Sequence, residues 1–232
     1  MERVVIPELL DTLAPNHELA KGSRTDIHRL NRLMGSARIL ARAMQANLPA
    51  GRLQTQPVRV VDLGAGEGLL MLDVARQSSA AEFQLTLVDR HHVVAEETWR
   101  ELAALGWRTD VAATDLLAWL EKESTSVDVM FANLVLHHFR EKDLKRLLRG
   151  AAARTNLFIA CEPRRSSFPL AAARWVRLFG CNAVTRHDAP VSVRAGFVER
   201  ELSSLWPAGF KWELTEKEFG LFGHFFMARR KD

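Results

Sequence analysis

Val60-Val61-Asp62-Leu63-Gly64-Ala65-Gly66-Glu67-Gly68 is the stretch whose reading decides the fold. The apolar run Val58–Val61 has the length and β-branched content of a buried strand. The segment Leu69–Gln77 behind it reads as a helix. Glycines at 64, 66 and 68 let the backbone turn tightly and approach a ligand closely. The helix that follows begins with amide groups aimed at that ligand. A nicotinamide-binding loop would read G-x-G-x-x-G, whereas here the third glycine comes one residue early and Leu69 stands in its place. Asp62 would repel a pyrophosphate and attract an ammonium group. An aminoacyl nucleoside fits that loop better than a dinucleotide does.

Outward from the loop, short apolar runs alternate with amphipathic segments of helical length. Strands are expected at Leu85–Val88, Thr109–Ala113, Val127–Ala132 and Leu157–Cys161, and helices at Val94–Leu105, Leu116–Lys122 and Glu141–Ala152. Such alternation means βαβ units, a parallel sheet and right-handed crossovers with helices on both faces. Beyond it, Pro169–Leu178 reads as an inserted helix and Val193–Leu205 as another. Lys211–Leu214 and His224–Ala228 read as two final strands, close enough in sequence for an antiparallel pair. Before the loop, residues 7–50 read as helical. Ile27, Leu30, Met34, Ala37 and Ala41 share one face, Arg24, Arg29, Arg32, Arg38 and Arg42 the other, with Ser23 as N-cap and Leu48-Pro49-Ala50-Gly51 as the stop. The expected organisation is an N-terminal helical extension over residues 1–55, then an α/β domain over 56–232 with a helical insertion at about 166–190.

Composition bounds the rest. The chain has 232 residues, 47% of them hydrophobic, which supplies a full core and excludes disorder as the main state. No stretch reaches the roughly 18 apolar residues that span a bilayer, and the first residues lack a signal-peptide core. Cys161 and Cys181 make no disulfide framework, so a reducing cytoplasm is the expected compartment. The net charge of +4 suits an anionic partner, but a solvated arginine-rich surface accounts for it, and nucleic acid is not the expected partner.

Three further blocks carry chemistry. Asp89 ends the second strand in Leu87-Val88-Asp89-Arg90, where a carboxylate accepts ribose hydroxyls in nicotinamide and adenosyl sites alike. Asp115 follows the third strand in Ala113-Thr114-Asp115-Leu116. It is placed to meet an adenine amino group, with Leu116 against the ring, and Thr114 or Asp115 can also cap the next helix. The fourth strand runs out into Asn133-Leu134-Val135-Leu136-His137-His138-Phe139.

These four blocks, over about residues 56–165, resemble the class I S-adenosylmethionine-dependent methyltransferases. The resemblance implies a Rossmann-like, seven-stranded, mostly parallel sheet with an antiparallel last strand, and S-adenosyl-L-methionine as cofactor. It implies that Asp62 and the backbone of Gly64, Ala65 and Gly66, with Gly68 in the same loop, hold the methionine moiety. It gives Asp89 the ribose with Arg90 beside it, Asp115 and Leu116 the adenine next to Thr114, and Asn133 a place along the cofactor. The Asn-Leu-Val-Leu-His-His-Phe block is similar to small-molecule members. The Ser23–Gly35 region and the tail around His187-Asp188 and Ser192–Phe197 are similar to bacterial natural-product enzymes.

The expected reaction is in-line displacement at the sulfonium methyl, which demands proximity and orientation, and an oxygen acceptor gains from a base. His137 and His138 are candidate bases because histidine titrates near neutrality, though either can instead pack or cap the loop. In the family the histidine aligned with His138 often supports the cofactor pocket. Glu162, after the fifth strand, is a third catalytic candidate, and His187, Asp188 and Arg194 are candidate substrate contacts. No residue spacing indicates a metal. The expected activity is methylation of a small molecule, at oxygen of a hydroxylated aromatic or lipid-like metabolite. Enzymes that methylate nucleobase amines carry an Asn/Asp-Pro-Pro-aromatic run where this chain has Asn133-Leu134-Val135-Leu136. An RNA or protein methyltransferase, and a non-catalytic cofactor-binding assembly protein, remain as alternatives. The oligomeric state is not legible.

Overall fold

The computed structural model describes residues 1–48, 56–78, 82–123, 125–207 and 211–231. Seven strands form one sheet: β1 (Val58–Leu63), β2 (Phe83–Asp89), β3 (Trp107–Ala113), β4 (Val127–Asn133), β5 (Thr155–Pro163), β6 (Trp212–Phe219) and β7 (Gly223–Arg230). Their order is β3-β2-β1-β4-β5-β7-β6. Strands β1 to β5 pair in parallel, and β7 runs antiparallel to both β5 and β6. This is the Rossmann-like fold expected of class I methyltransferases. The order reverses between β1 and β4, and a parallel sheet opens a ligand crevice at such a switch point, outside the carboxyl ends of its strands.

The helices are α1 (Glu18–Met34), α2 (Ser36–Asn47), α3 (Leu69–Ala75), α4 (Glu96–Ala104), α5 (Leu116–Lys122), α6 (Glu141–Arg154), α7 (Ser167–Ala173), α8 (Ala183–Ala195) and α9 (Glu201–Leu205). Side chains alternate across each strand, and the sheet has a separate core on each face. Val58, Val60, Phe83, Leu85, Phe131 and Ile159 pack beneath α2, α3 and α4. Val61, Leu63, Met130, Ala132, Phe158 and Phe226 pack beneath α5, α6 and α9. Cys161 and Cys181 are free thiols, and burial pushes that of Cys161 up.

Several local expectations change. The helical stretch before β1 breaks at Gly35, which takes a left-handed conformation at φ 70°. Ser23 is not an N-cap: His17 is, and Ser23 lies buried inside α1 where it accepts from the Thr185 hydroxyl. Helix α2 is a core layer, with Leu40 and Met44 fully buried against the sheet. The stop signal at Pro49-Ala50-Gly51 lies outside the described residues. The helix expected at Val193–Leu205 is two helices, α8 ending at Ala195 and α9 starting at Glu201. Between them Phe197 is buried and its amide donates to Pro163 O at 2.9 Å. The inserted segment shortens to α7 plus a 3-10 turn at Val176–Phe179. Helix α8 runs on through Pro190, past the expected end of the helical insertion at about 190.

Candidate active site

One cavity of about 810 Å3 opens at the carboxyl ends of the strands. Its first end is made by the loops after β1, β2, β3 and β4. Gly64 adopts φ 75°, and a Cβ there would stand 2.6 Å from Val135 Cγ2. Only glycine lets the β1 loop and the β4 loop lie against each other at this point. Gly66 adopts φ 53°, and a Cβ there would meet nothing within 4 Å, so the space beside it is open. The amides of Gly64 and Ala65 donate to Val88 O, and that of Gly66 to Asp89 Oδ2 at 2.9 Å. The loop therefore offers a ligand a shaped surface, while its amides hold its own conformation. Gly68 packs against Leu87 and Thr98 and does not line the cavity.

Asp62 ends β1 at 2% exposure and lines the cavity. Burial, with the Asp89 charge beside it, pushes its carboxyl up to about 8. Asp89 Oδ1 accepts from the His91 amide at 3.0 Å, so both oxygens are oriented by backbone. Asp115 Oδ1 caps α5 by accepting from Leu117 and Ala118, and Leu116 is buried beside it. Thr114 stands back from the cavity, its amide donating to Asp89 O at 2.8 Å. Asn133 Nδ2 donates to Asn31 Oδ1 at 3.2 Å, while Asn133 Oδ1 is buried without a partner. An unpartnered buried acceptor costs about 1–3 kcal/mol. A ligand amine placed here would remove that cost and would meet the Asp62 carboxylate as well. Asn133 and Asp62 with Asp89, Asp115 and the open space at Gly66 thus fit an aminoacyl adenosine.

The second end is built from residues far apart in sequence. Arg3 donates to Ala195 O at 2.7 Å and to Phe139 O at 3.0 Å, fastening the N-terminal segment over the β4 loop. Asp188 of α8 accepts from the Leu9 and Leu10 amides. Glu8 and Asp11 are thereby aimed at the histidines. His137 is buried with Nδ1 2.7 Å from Glu162 Oε2 and Nε2 3.3 Å from Glu8 Oε1. Burial pushes the His137 imidazole down, but the bonds to Glu162 and Glu8 outweigh that and raise it to about 9. Glu162 also accepts from the Val135, Leu136 and His137 amides. Burial pushes Glu8 up, and the bond and charge of His137 more than reverse it, leaving its carboxyl below the usual range. The Ser192 hydroxyl donates to Glu8 as well. His138 is partly exposed, with Nδ1 3.0 Å from Asp11 Oδ2, and Asp11 also accepts from Arg90 at 2.7 Å. The His138 Nε2 is 3.9 Å from Glu8 Oε2. Glu8, His137 and His138 each bring one ligand-type atom within 4.8 Å of the others, while Glu162, Asp11 and Ser192 also bond to this group.

Of the residues singled out in the sequence, Asp62, Gly64, Ala65, Gly66, Asp89, Arg90, Asp115, Leu116, Asn133, His137 and His138 line this one cavity. His187 and Arg194 do not: His187 is half-exposed and paired with Asp188 at 2.8 Å, and Arg194 is exposed. Asp188 and Ser192 face inward, because they lie four residues apart on one face of helix α8. Sequence reasoning missed Glu8 and Asp11, which have no local signature, and gave Asn31 and Ser192 no role of their own although both lie in the N-terminal and tail blocks. Arg24 also lines the cavity, donating to Glu67 at 2.8 Å and Pro15 O at 2.8 Å. The Ser23-Arg24-Thr25-Asp26 block had pointed to its segment.

Comparison with known proteins agrees with the geometry of the first end. Residues 60–156 match the family described as "Methyltransferase domain". A ribosomal RNA large subunit methyltransferase G of Pseudomonas putida is 34% identical over 142 residues, covering 56% of this chain and 36% of that protein. The chain thus spans about a third of the length of this curated relative. Among solved structures, the plantazolicin methyltransferase BamL, in complex with a triazolic desmethylPZN analog and SAH, superposes with a TM-score of 0.66 at 12% identity, over 96% of this chain and 94% of that one. An O-methyltransferase family protein from Burkholderia thailandensis gives 0.59 at 14% identity, over 93% and 61%. Sequence match, strand order and cavity chemistry converge: residues 60–156 match a methyltransferase domain, within a chain that has the class I methyltransferase fold, and the first end of its cavity fits S-adenosylmethionine.

Proposed function

We propose that the chain methylates a small molecule at oxygen, the acceptor being a hydroxylated aromatic or lipid-like metabolite. The observation that carries this reading is the continuity of the cavity. It runs from Asp62 and Asp89 to His138, and its far wall is apolar, with Ile27, Leu30, Met34 and Val176. A cavity of that kind suits an apolar acceptor with a few polar groups to orient it. Bound S-adenosylmethionine supplies an electrophilic methyl group on its sulfonium. The chain's own residues do the rest. Asp89, Asp115 and Leu116 hold the nucleoside, with Asp62 and Asn133 at the amino-acid end. Arg90 ties Asp11 to the rim.

Of the three candidate bases, His138 is the one in position to accept a proton. Glu162 is occupied by three amides and an imidazole, and His137 is held between two carboxylates that favour its charged form. Asp11 orients His138 through Nδ1 and leaves Nε2 toward the acceptor. Residues 1–55 act as the acceptor-side extension and 56–232 as the domain that binds the donor, working in the cytoplasm.

The test is methyl transfer from labelled S-adenosylmethionine to a panel of alkylated phenols and hydroxylated aromatics. Label recovered as a methyl ether supports the reading, and label recovered only in RNA overturns it. A second reading, an RNA methyltransferase, is favoured by the ribosomal RNA methyltransferase relative. Against it, Leu134-Val135-Leu136 offers no proline pair or stacking aromatic after Asn133. A salt-dependent RNA gel shift tests it.

A further inference from the structure

The segment between β5 and α8 stands apart in both charge and polarity. Between Glu162 and Asp188 the sequence holds five arginines and no carboxylate. Arg164 pairs with Glu218 and Arg165 with Glu201. Arg174 and Arg177 are exposed and have no acidic partner among the described residues. Beside them Phe168, Trp175, Leu178 and Phe179 are each more than half exposed, Leu178 at 70%. Arg177 lies 5.6 Å over the Trp175 ring. The turn between β6 and β7 joins this surface: Phe222 stacks on Phe168 at 5.8 Å, and Leu221 beside it is 60% exposed. Soluble surfaces carry single exposed apolar side chains routinely, but a contiguous group of large ones marks a contact surface.

The patch is continuous with the cavity. Val176, Phe179 and Phe222 line it from the same 3-10 turn and the same β6–β7 turn that present Leu178 and Leu221 outward.

We infer that this surface docks on an anionic lipid bilayer and admits a lipid-like acceptor directly into the cavity past Phe179 and Phe222. The inference rests on the small-molecule reading above for the nature of the acceptor. Charge and shape select the partner. A bilayer interface takes aromatic rings at the headgroup level, aliphatic tips below them and arginines against anionic headgroups. A second copy of this chain would set Arg174 and Arg177 against their own equivalents across a two-fold axis. Single-stranded RNA would stack on Trp175 and pair with arginine, yet has no use for Leu178 and Leu221. No described helix is long and apolar enough to cross a membrane, so the contact is peripheral.

The experiment is co-sedimentation of the whole chain with phosphatidylcholine vesicles made with and without phosphatidylglycerol. Expected is binding to the anionic vesicles, weakened by salt. Leu178→Glu with Trp175→Glu should lower the partition coefficient at least about tenfold. Arg174→Gln with Arg177→Gln should do likewise on anionic vesicles only, at about one electrostatic contact per arginine. Neither pair lines the cavity, so methylation of a soluble phenol should stay unchanged in both. No vesicle binding by the parent chain overturns the inference. So does a dimer dissolved by the same substitutions, or an RNA shift abolished by them. If vesicles bind but no phenol or vesicle-borne acceptor is methylated, the docking surface stands and the acceptor reading fails.

Discussion

The two ends of the cavity are built by opposite means. The donor end is assembled mainly from four loops that each follow their own strand, with Asn31 and Arg24 of α1 reaching in to Asn133 and Glu67. The acceptor end is assembled from segments up to 184 residues apart, as in the Ser192 to Glu8 bond. A strand end needs only its sheet to position a carboxylate. Glu8 needs Arg3 on Ala195 and Phe139, and Asp188 on Leu9 and Leu10, before it meets His137. The donor end is thus local and rigid, and the acceptor end is a product of tertiary fastening.

Replacing single residues at each end tests that contrast. The largest effect is expected from Asp89→Ala. Losing a doubly oriented carboxylate should weaken S-adenosylhomocysteine binding about 100-fold in calorimetry, from about 1.5–3 kcal/mol per charged hydrogen bond. Unchanged affinity would remove Asp89 from the donor end. His138→Ala should lower kcat by about 10²-fold while leaving cofactor affinity within a few-fold, the signature of a proton acceptor confined to the other end. Equal losses in kcat and cofactor affinity would place it among the donor residues instead.

The third effect concerns pH. His137 is raised to about 9 in the folded chain, above its ordinary 6.5. Its stabilisation is complete below about pH 6.5 and is lost as pH rises through about 9. Urea midpoints should therefore fall between pH 6 and 9.5, by an amount on the order of 2 kcal/mol. Glu8→Gln should flatten that fall, and an unchanged pH profile would separate Glu8 from His137. Asp62 gives the donor end its own pH signature. With its carboxyl raised to about 8, a cofactor ammonium that ionises it must release a proton when binding takes place below that pH. Binding heats should then vary with the ionisation enthalpy of the buffer, and Asp62→Asn should abolish the variation. The smallest effect is expected from Asp115→Ala, which removes the α5 cap and should cost about 1 kcal/mol in stability.

The same contrast explains what the sequence disclosed. The strands and the blocks that follow them were legible because hydrophobic period and glycine spacing are local properties. Asp62, Asp89, Asp115 and Asn133 each sit where a strand stops. Glu8 and Asp11 were hidden because nothing near them in sequence distinguishes them from solvated surface. His187, Asp188 and Arg194 were singled out together because the sequence did not show that α8 runs unbroken from Ala183 to Ala195, and only that helix sets which of them face inward. Glu162 was legible as a special position, but its three amide partners, which make it a holder of the β4 loop, appear only in three dimensions.

Helix α2 carries a consequence for truncation. The recognisable family segment begins at residue 60, yet Ala37, Leu40, Ala41 and Met44 complete the core on one face of the sheet. A fragment started near residue 56 would keep every donor residue of the β-strand loops and bare the apolar face over Val58, Val60 and Ile159. Such a fragment should aggregate rather than bind cofactor, because the unit that folds extends beyond the unit that a family match delimits.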